Sequence, residues 1–108
     1  MPREIKESDW KVFRKLHGIA LDRFCRLVIE DVQAITTSCT GDYHDCYRKV
    51  FDLMRRRDKE LARAFDDMRR STALILLANM RSRGLLTEDE LMQLSVETRE
   101  VIGAWELR

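Results

Sequence analysis

Apolar side chains recur three and four positions apart along most of the chain, which is the period of one face of an α-helix. The longest pattern runs from Tyr43 to Arg83, and no Pro or Gly interrupts it. It therefore predicts one long helix over residues 43–83, with a break near Asp58 as the alternative. The positions that form its apolar seam are Met54, Leu61, Phe65, Met68, Thr72, Ile75 and Asn79.

Local signals place a helix on each side of this segment. Ser8 is the expected N-cap of a first helix over residues 8–36. Gly84 follows a basic turn and is typical of a helix C-terminus, and Thr87 with Glu90 forms a capping box that opens a last helix over residues 87–106. The sequence predicts an all-α fold, a single domain over residues 1–108 built as a bundle of three long antiparallel helices, or four if the second one breaks.

The segment Ala73–Ala78 is apolar on every side, and a helix of this kind must be covered on every side. Three long helices of one chain leave part of it uncovered, so the pattern predicts that dimerisation completes the bundle. The expected interface residues are Leu74, Leu77, Trp105 and Trp10.

Composition supports a helical protein, because 36% of the residues are charged and the chain has only one Pro and four Gly. The charge is unevenly placed: residues 48–83 carry eleven Lys/Arg and five Asp/Glu, whereas residues 84–108 carry two and six. We expect the acidic tail to lie against the basic middle, in the same chain or in another subunit. The charged N-terminus lacks the apolar region of a secretory signal, and three cysteines without framework spacing favour free thiols in the cytoplasm.

Two clusters offer candidate chemistry. Cys39, His44 and Cys46 are ligand types for zinc or iron, and the same residues could support thiol chemistry, but a capped helix start with a buried Cys46 is the favoured interpretation. Arg55–Arg57 could contact phosphates, but acidic residues are interleaved with them, which is typical of a solvated helix face. His17 is expected at the edge of the core, and neither histidine has the Glu-x-x-His partner of a di-iron bundle.

The corner Leu77-x-x-Met80-x-x-x-Gly84-Leu85-Leu86-Thr87-x-x-Glu90-Leu91 resembles a SHOCT-type segment, a short helical piece associated with oligomerisation. The whole chain also resembles small bacterial all-helical proteins. These resemblances imply a helical fold and self-association, and they imply no activity.

The favoured hypothesis is a non-catalytic helical module that self-associates, with a homodimer as the expected state, or binds a protein partner. No cofactor and no membrane contact are expected. A metal- or thiol-dependent protein using Cys39, His44 and Cys46 is one alternative. Nucleic-acid binding through Arg55, Arg56 and Arg57 is the other.

Overall fold

A computed structural model describes residues 5–106, and all regular structure in that range is helical. The all-α prediction is confirmed. The helices are α1 (Glu7–Thr37), α2 (Tyr43–Leu61), which continues into a wider π-helical turn (Ala62–Asp66), α3 (Ala73–Ser82), α4 (Glu88–Leu91) and α5 (Val96–Glu106). The described chain is elongated, with extents of 54 × 26 × 25 Å.

The first two helices form a hairpin. The N-cap of α1 is Lys6, without a side-chain hydrogen bond, so the prediction that Ser8 caps this helix is wrong. A loop separates α1 from α2, and Asp42 caps α2 by accepting a hydrogen bond from the Asp45 amide at 3.2 Å. Asp42 has a left-handed φ of 48°, which Asp tolerates because its side chain bonds to the local backbone.

The prediction of one continuous helix over residues 43–83 is wrong, and the break does not lie at Asp58. The chain leaves helical geometry at Asp67 and resumes it at Ala73. Contacts from elsewhere replace the missing helical hydrogen bonds: His17 Nε2 lies 2.9 Å from the Phe65 carbonyl oxygen. The Thr72 hydroxyl contacts the Asp67 carbonyl and accepts from the Arg69 amide at 3.0 Å.

Because of this break, α3 turns into the core instead of extending beyond it. Six of its ten residues are buried, and it packs against α5 and α1. Leu74 and Leu77 are buried within the single chain, and only Ile75 among the large apolar residues of α3 is well exposed. The apolar run Ala73–Ala78 is therefore covered within the single chain. The apolar seam predicted for a continuous helix is not one buried face, because Met54 and Ile75 are both exposed.

The corner after α3 follows the sequence prediction. Gly84 has a φ of 72°, and the Leu85 amide donates to the Met80 carbonyl at 3.0 Å. Thr87 and Glu90 form the expected capping box, in which the Glu90 amide donates to the Thr87 hydroxyl at 3.1 Å and the Thr87 amide donates to the Glu90 carboxylate at 2.8 Å. This corner turns the chain by local chemistry alone.

The predicted last helix is interrupted after Leu91 and restarts at Val96. The reason lies at the other end of the chain, because the buried Asp9 carboxylate accepts hydrogen bonds from the Ser95 amide at 2.8 Å, the Ser95 hydroxyl at 2.6 Å and the Thr98 hydroxyl at 2.7 Å. Burial alone would raise the pKa of Asp9, but these hydrogen bonds outweigh it and hold the pKa below its ordinary value. Asp9 thus fastens the start of α5 to the first turn of α1.

The acidic tail also pairs with α1. Arg23 binds the Glu90 carboxylate with two hydrogen bonds of 2.6 and 2.9 Å and donates to the Leu85 carbonyl at 2.9 Å. Lys6 pairs with Glu97 at 3.0 Å. Two acids of the tail are therefore paired with α1 and its N-cap. The tail also lies against the basic middle, as predicted, because α5 packs on α3.

Candidate functional site

One end of the molecule is a two-helix arm, residues 29–52, that comprises the end of α1, the connecting loop and the start of α2. In the described part of the chain, the core cluster ends at Val28 on α1 and resumes only later on α2. The arm is therefore held by contacts between its own two helices. Arg57 supports its base, donating to Asp31 on α1 at 2.9 Å and to Glu60 at 3.0 Å.

A stripe of large apolar side chains, the α2 stripe, runs along α2 from the tip of this arm to just beyond its base. It consists of Tyr43, Tyr47, Phe51 and Met54, whose exposed fractions are 76%, 67%, 51% and 43%. The spacings of four, four and three residues put them on one side of the helix. The rings of Tyr47 and Phe51 are stacked, with centroids 6.5 Å apart. Single exposed apolar residues are common, but a contiguous row marks an interaction surface.

An apolar groove lies beside the α2 stripe, between α1 and α2. Its cavity measures about 130 Å³ and is lined chiefly by Phe24, Cys25, Val28, Ile29, Met54 and Leu61. Met54 belongs to both the stripe and the groove, so the two form one continuous surface, which we call the arm face. Ile29 on its α1 side is 52% exposed. The arm face can receive apolar and aromatic side chains.

Arg57, which lines the base of the groove, is paired with two carboxylates. Burial raises the pKa of Glu60, but its hydrogen bonds with Arg57 and Arg83 outweigh that effect and lower the pKa. The hydrogen bonds to Asp31 and Glu60 raise the pKa of Arg57. Arg57 is consequently held as a cation between two carboxylates, and it fixes the spacing of α1 and α2.

The first alternative site, formed by Cys39, His44 and Cys46, contains a disulfide in place of free thiols. Cys39 and Cys46 form a disulfide at the tip of the arm, with their Cα atoms 6.1 Å apart. The prediction of free thiols is therefore wrong for these two residues, and their sulfurs are bonded to each other instead of being open to a metal. His44 is exposed beside them, and Cys25 is a free thiol in the groove wall. Among residues 5–106, no group of three His, Cys, Asp or Glu side chains is placed to hold a metal ion.

The second alternative site, the arginine run 55–57, does not form one continuous surface. Arg55, Arg56 and Arg57 are successive residues of a helix and point about 100° apart, so they do not share a face. Arg57 is bound to Asp31 and Glu60, whereas Arg55 and Arg56 are exposed. Only two of the three arginines are thus open to a ligand, and they lie on different sides of α2.

The expected interface residues lie in or against the core. Leu74 and Leu77 are 3% and 0% exposed, and Trp10 and Trp105 are half-buried and pack against the core cluster. Arg70 sits over the Trp10 ring, 5.3 Å from its centroid. These residues hold the body of the protein together and present little surface to another molecule.

His17 and Asp67 also have structural partners. The His17 ring contacts the edges of Phe13 and Phe65, with centroids 5.8 and 5.4 Å apart, and bonds the Phe65 carbonyl. Asp67 is exposed and pairs with Arg69. His17 is thus a core-edge residue, as the sequence predicted, and it helps to end the π-helical turn.

The α2 stripe is the feature that sequence reasoning missed. The sequence analysis places Met54 in the apolar seam of a long helix and gives Tyr43, Tyr47 and Phe51 no role at the surface. The usable signal was the pair of tyrosines with Phe51 at intervals of four, next to a short loop where no other helix could reach them.

Comparison of the chain with protein-family models, with curated proteins and with solved structures gives no match. None of the described helices is long and apolar enough to cross a membrane.

Proposed function

We propose that this protein is a non-catalytic helical module that associates with a second copy of itself through the arm face. The observation that carries the proposal is the continuous apolar surface formed by the α2 stripe and the groove. Its four stripe residues are between 43% and 76% exposed, so a single chain leaves them in water. Aromatic residues and Met are enriched at the buried centres of protein interfaces, which is the composition found here.

The free energy of burying these partly exposed side chains is comparable with the cost of association. Burying one large apolar or aromatic side chain contributes roughly 1.5–3 kcal/mol. Two copies would together bury eight stripe side chains and the groove walls, against an association cost of about 4–15 kcal/mol. We therefore expect a dimer with a dissociation constant in the micromolar range, held chiefly by Tyr47 and Phe51 at the middle of the stripe.

Light scattering on a sizing column, at protein concentrations from roughly 1 to 100 μM, tests the proposal. The native chain is expected to shift from monomer to dimer across this range. Tyr47→Glu combined with Phe51→Glu is expected to remain monomeric and to keep its helical circular dichroism, because both side chains are exposed in the single chain.

Ile75→Glu is the matched control. Ile75 is 61% exposed but lies on α3, outside the arm face, so this variant is expected to dimerise like the native chain. A native chain that stays monomeric throughout the range contradicts the proposal. So does a dimer that Ile75→Glu disrupts while the paired stripe substitutions leave it intact.

A further inference from the structure

We propose that the disulfide between Cys39 and Cys46 is a reversible redox switch that sets how strongly the arm face binds a second copy. With the disulfide closed, the tip of the arm is ordered and the chain dimerises. With both thiols reduced, the tip loosens and the dimer is weaker. This inference rests on the proposed self-association and adds a means of controlling it.

The disulfide lies at the exposed tip of the arm, away from the core. No residue between positions 29 and 52 is buried, and Cys39 and Cys46 are themselves half-buried. Thiol–disulfide exchange requires an attacking thiolate to reach one sulfur atom, so exposed disulfides are the labile and regulatory ones. The position of this disulfide therefore permits its reduction while the chain stays folded.

The reductant is a dithiol, either a small molecule or a reduced protein. One of its thiolates attacks a sulfur of the pair, the bond between Cys39 and Cys46 breaks, and a mixed disulfide forms. The second thiolate then attacks the mixed disulfide and releases the arm with two thiols, so two electrons and two protons pass from the dithiol to the arm. Cys25 cannot replace the dithiol within one chain, because it lies about 18 Å along α1 from the last residue, Thr37.

The disulfide joins two helix ends whose other described hydrogen bonds are local. Ser38 bonds back to Ala34 in α1, and Asp42 caps only the start of α2. Asp42 also keeps a left-handed φ of 48°, which a free non-Gly residue adopts rarely because its Cβ crowds the following carbonyl. The ion pairs of Arg57 cannot replace the disulfide, since Arg57 lies about 16 Å along α2 from Cys46. Reduction therefore frees the first turn of α2 to open.

That first turn carries the most exposed part of the α2 stripe. Tyr43 is the first residue of α2, and Tyr43 and Tyr47 stand on either side of Cys46 in the sequence. Their exposed fractions of 76% and 67% are the largest in the stripe, and the Tyr47 ring stacks on Phe51. The two tyrosine rings can bind a second copy together only while this part of α2 is helical. Opening the disulfide thus weakens the tip half of the arm face.

The expected effect follows from the fraction of chains with an ordered tip. An apparent dissociation constant rises in inverse proportion to the competent fraction of each binding partner. For a reduced tip that is ordered about one-third of the time, a dimer that needs two ordered tips is roughly tenfold weaker. The body is expected to stay folded, because its core cluster ends at Val28 and contains neither Cys39 nor Cys46.

Light scattering on a sizing column, with and without dithiothreitol as the dithiol, tests the switch. The Cys25→Ser chain is used beside the native one, because it removes the free thiol that could cross-link two copies. Alkylation followed by mass spectrometry counts the thiols in each sample. We expect the dissociation constant of the dimer to rise roughly tenfold on reduction and to return on reoxidation with oxidised glutathione, which takes back the two electrons.

Two sets of variants separate the switch from a general loosening of the chain. Cys39→Ser combined with Cys46→Ser should dimerise as weakly as the reduced chain and should not respond to dithiothreitol. Tyr43→Ala should weaken the oxidised dimer and shrink the effect of reduction, because the tip then contributes less to binding. Ile75→Ala, a change outside the arm face, should leave both the affinity and the redox effect unchanged.

A reduced chain that dimerises as tightly as the oxidised chain, or more tightly, overturns the switch and leaves the dimer standing. The switch is also wrong if the disulfide resists dithiothreitol in the folded chain, or if reduction removes most of the helical circular dichroism. An oxidised chain that stays monomeric from roughly 1 to 100 μM overturns the proposed function itself, and the switch with it.

Discussion

The buried carboxylate of Asp9 gives the sharpest test of the fold, through the substitution Asp9→Asn. The side chain is 2% exposed, and one of its oxygens accepts from both the Ser95 and Thr98 hydroxyls. Asn keeps the size of the side chain but loses the charge and one of the two acceptor oxygens. A hydrogen bond to a charged group contributes about 1.5–3 kcal/mol, so we expect the free energy of unfolding to fall by about 2–4 kcal/mol.

Urea unfolding followed by circular dichroism measures this loss. Asp22→Asn is the control, because Asp22 lies on the same helix with an exposed side chain, and it should change stability by less than about 0.5 kcal/mol. A double-mutant cycle of Asp9→Asn with Thr98→Val should give a coupling energy of about 1 kcal/mol or more, because the two side chains are in direct contact.

The pH dependence of stability tests the same contact between Asp9 and the start of α5 in a second way. The folded-state pKa of Asp9 lies below its ordinary value of 3.8, so its contribution is present above that value and is lost as the pH falls through the folded pKa. The stability difference between the native chain and Asp9→Asn should therefore shrink as the medium is acidified below about pH 4. A difference under about 0.5 kcal/mol at neutral pH would refute the view that this carboxylate holds α5 in place.

Three further changes probe the corner and the core. Arg23 lowers the pKa of Glu90 from 4.5 to about 2, so Glu90→Gln should lower the free energy of unfolding by about 1–3 kcal/mol at neutral pH. In acid titrations followed by circular dichroism, this loss of stability should fade between about pH 5 and pH 2. A loss that stays constant with pH would contradict the pairing. Gly84→Ala should lower stability by about 1 kcal/mol because residue 84 has a φ of 72°. Gly18→Ala, in an open helical position, should raise stability by about 0.5–1 kcal/mol. Equal melting temperatures of the two variants would contradict the left-handed turn at Gly84. Leu77→Ala should lower the free energy of unfolding, measured in urea, by about 2–5 kcal/mol and leave the dissociation constant of the dimer unchanged. A loss of dimerisation without a loss of stability would show that Leu77 is an interface residue after all.

Features set by neighbouring residues could be predicted from the sequence. The capping box of Thr87 and Glu90, the left-handed Gly84 and the Asp42 cap each depend on a few adjacent positions, and each is present. The helix of α1 is also local in origin, because its periodic apolar positions continue through Gly18, and its bounds differ by one residue at each end from the prediction.

Features set by distant residues could not be predicted. The stop after the π-helical turn depends on His17, 48 residues before the carbonyl that it bonds. The restart at Val96 combines a local cap, in which the Ser95 hydroxyl accepts from the Thr98 amide at 3.4 Å, with a hydrogen bond from Ser95 to Asp9, 86 residues earlier. Neither stop has a Pro or Gly, so the helical period continues through both. Because the sequence shows no break, α3 was placed outside the core, and the interface was assigned to residues that the core in fact buries.

The link between Asp9 and Ser95 also constrains the order in which the chain can fold. During synthesis Asp9 emerges early, and the groups that bind it follow 86 and 89 residues later. Until then the carboxylate has no partner in the interior, and burying it would cost several kcal/mol, so the core cannot close around the first turn of α1. The α1–α2 hairpin has contacts of shorter sequence separation, such as the 26 residues between Asp31 and Arg57, and can form earlier. We therefore expect vectorial folding, in which the arm forms first and the body closes as a late, cooperative step.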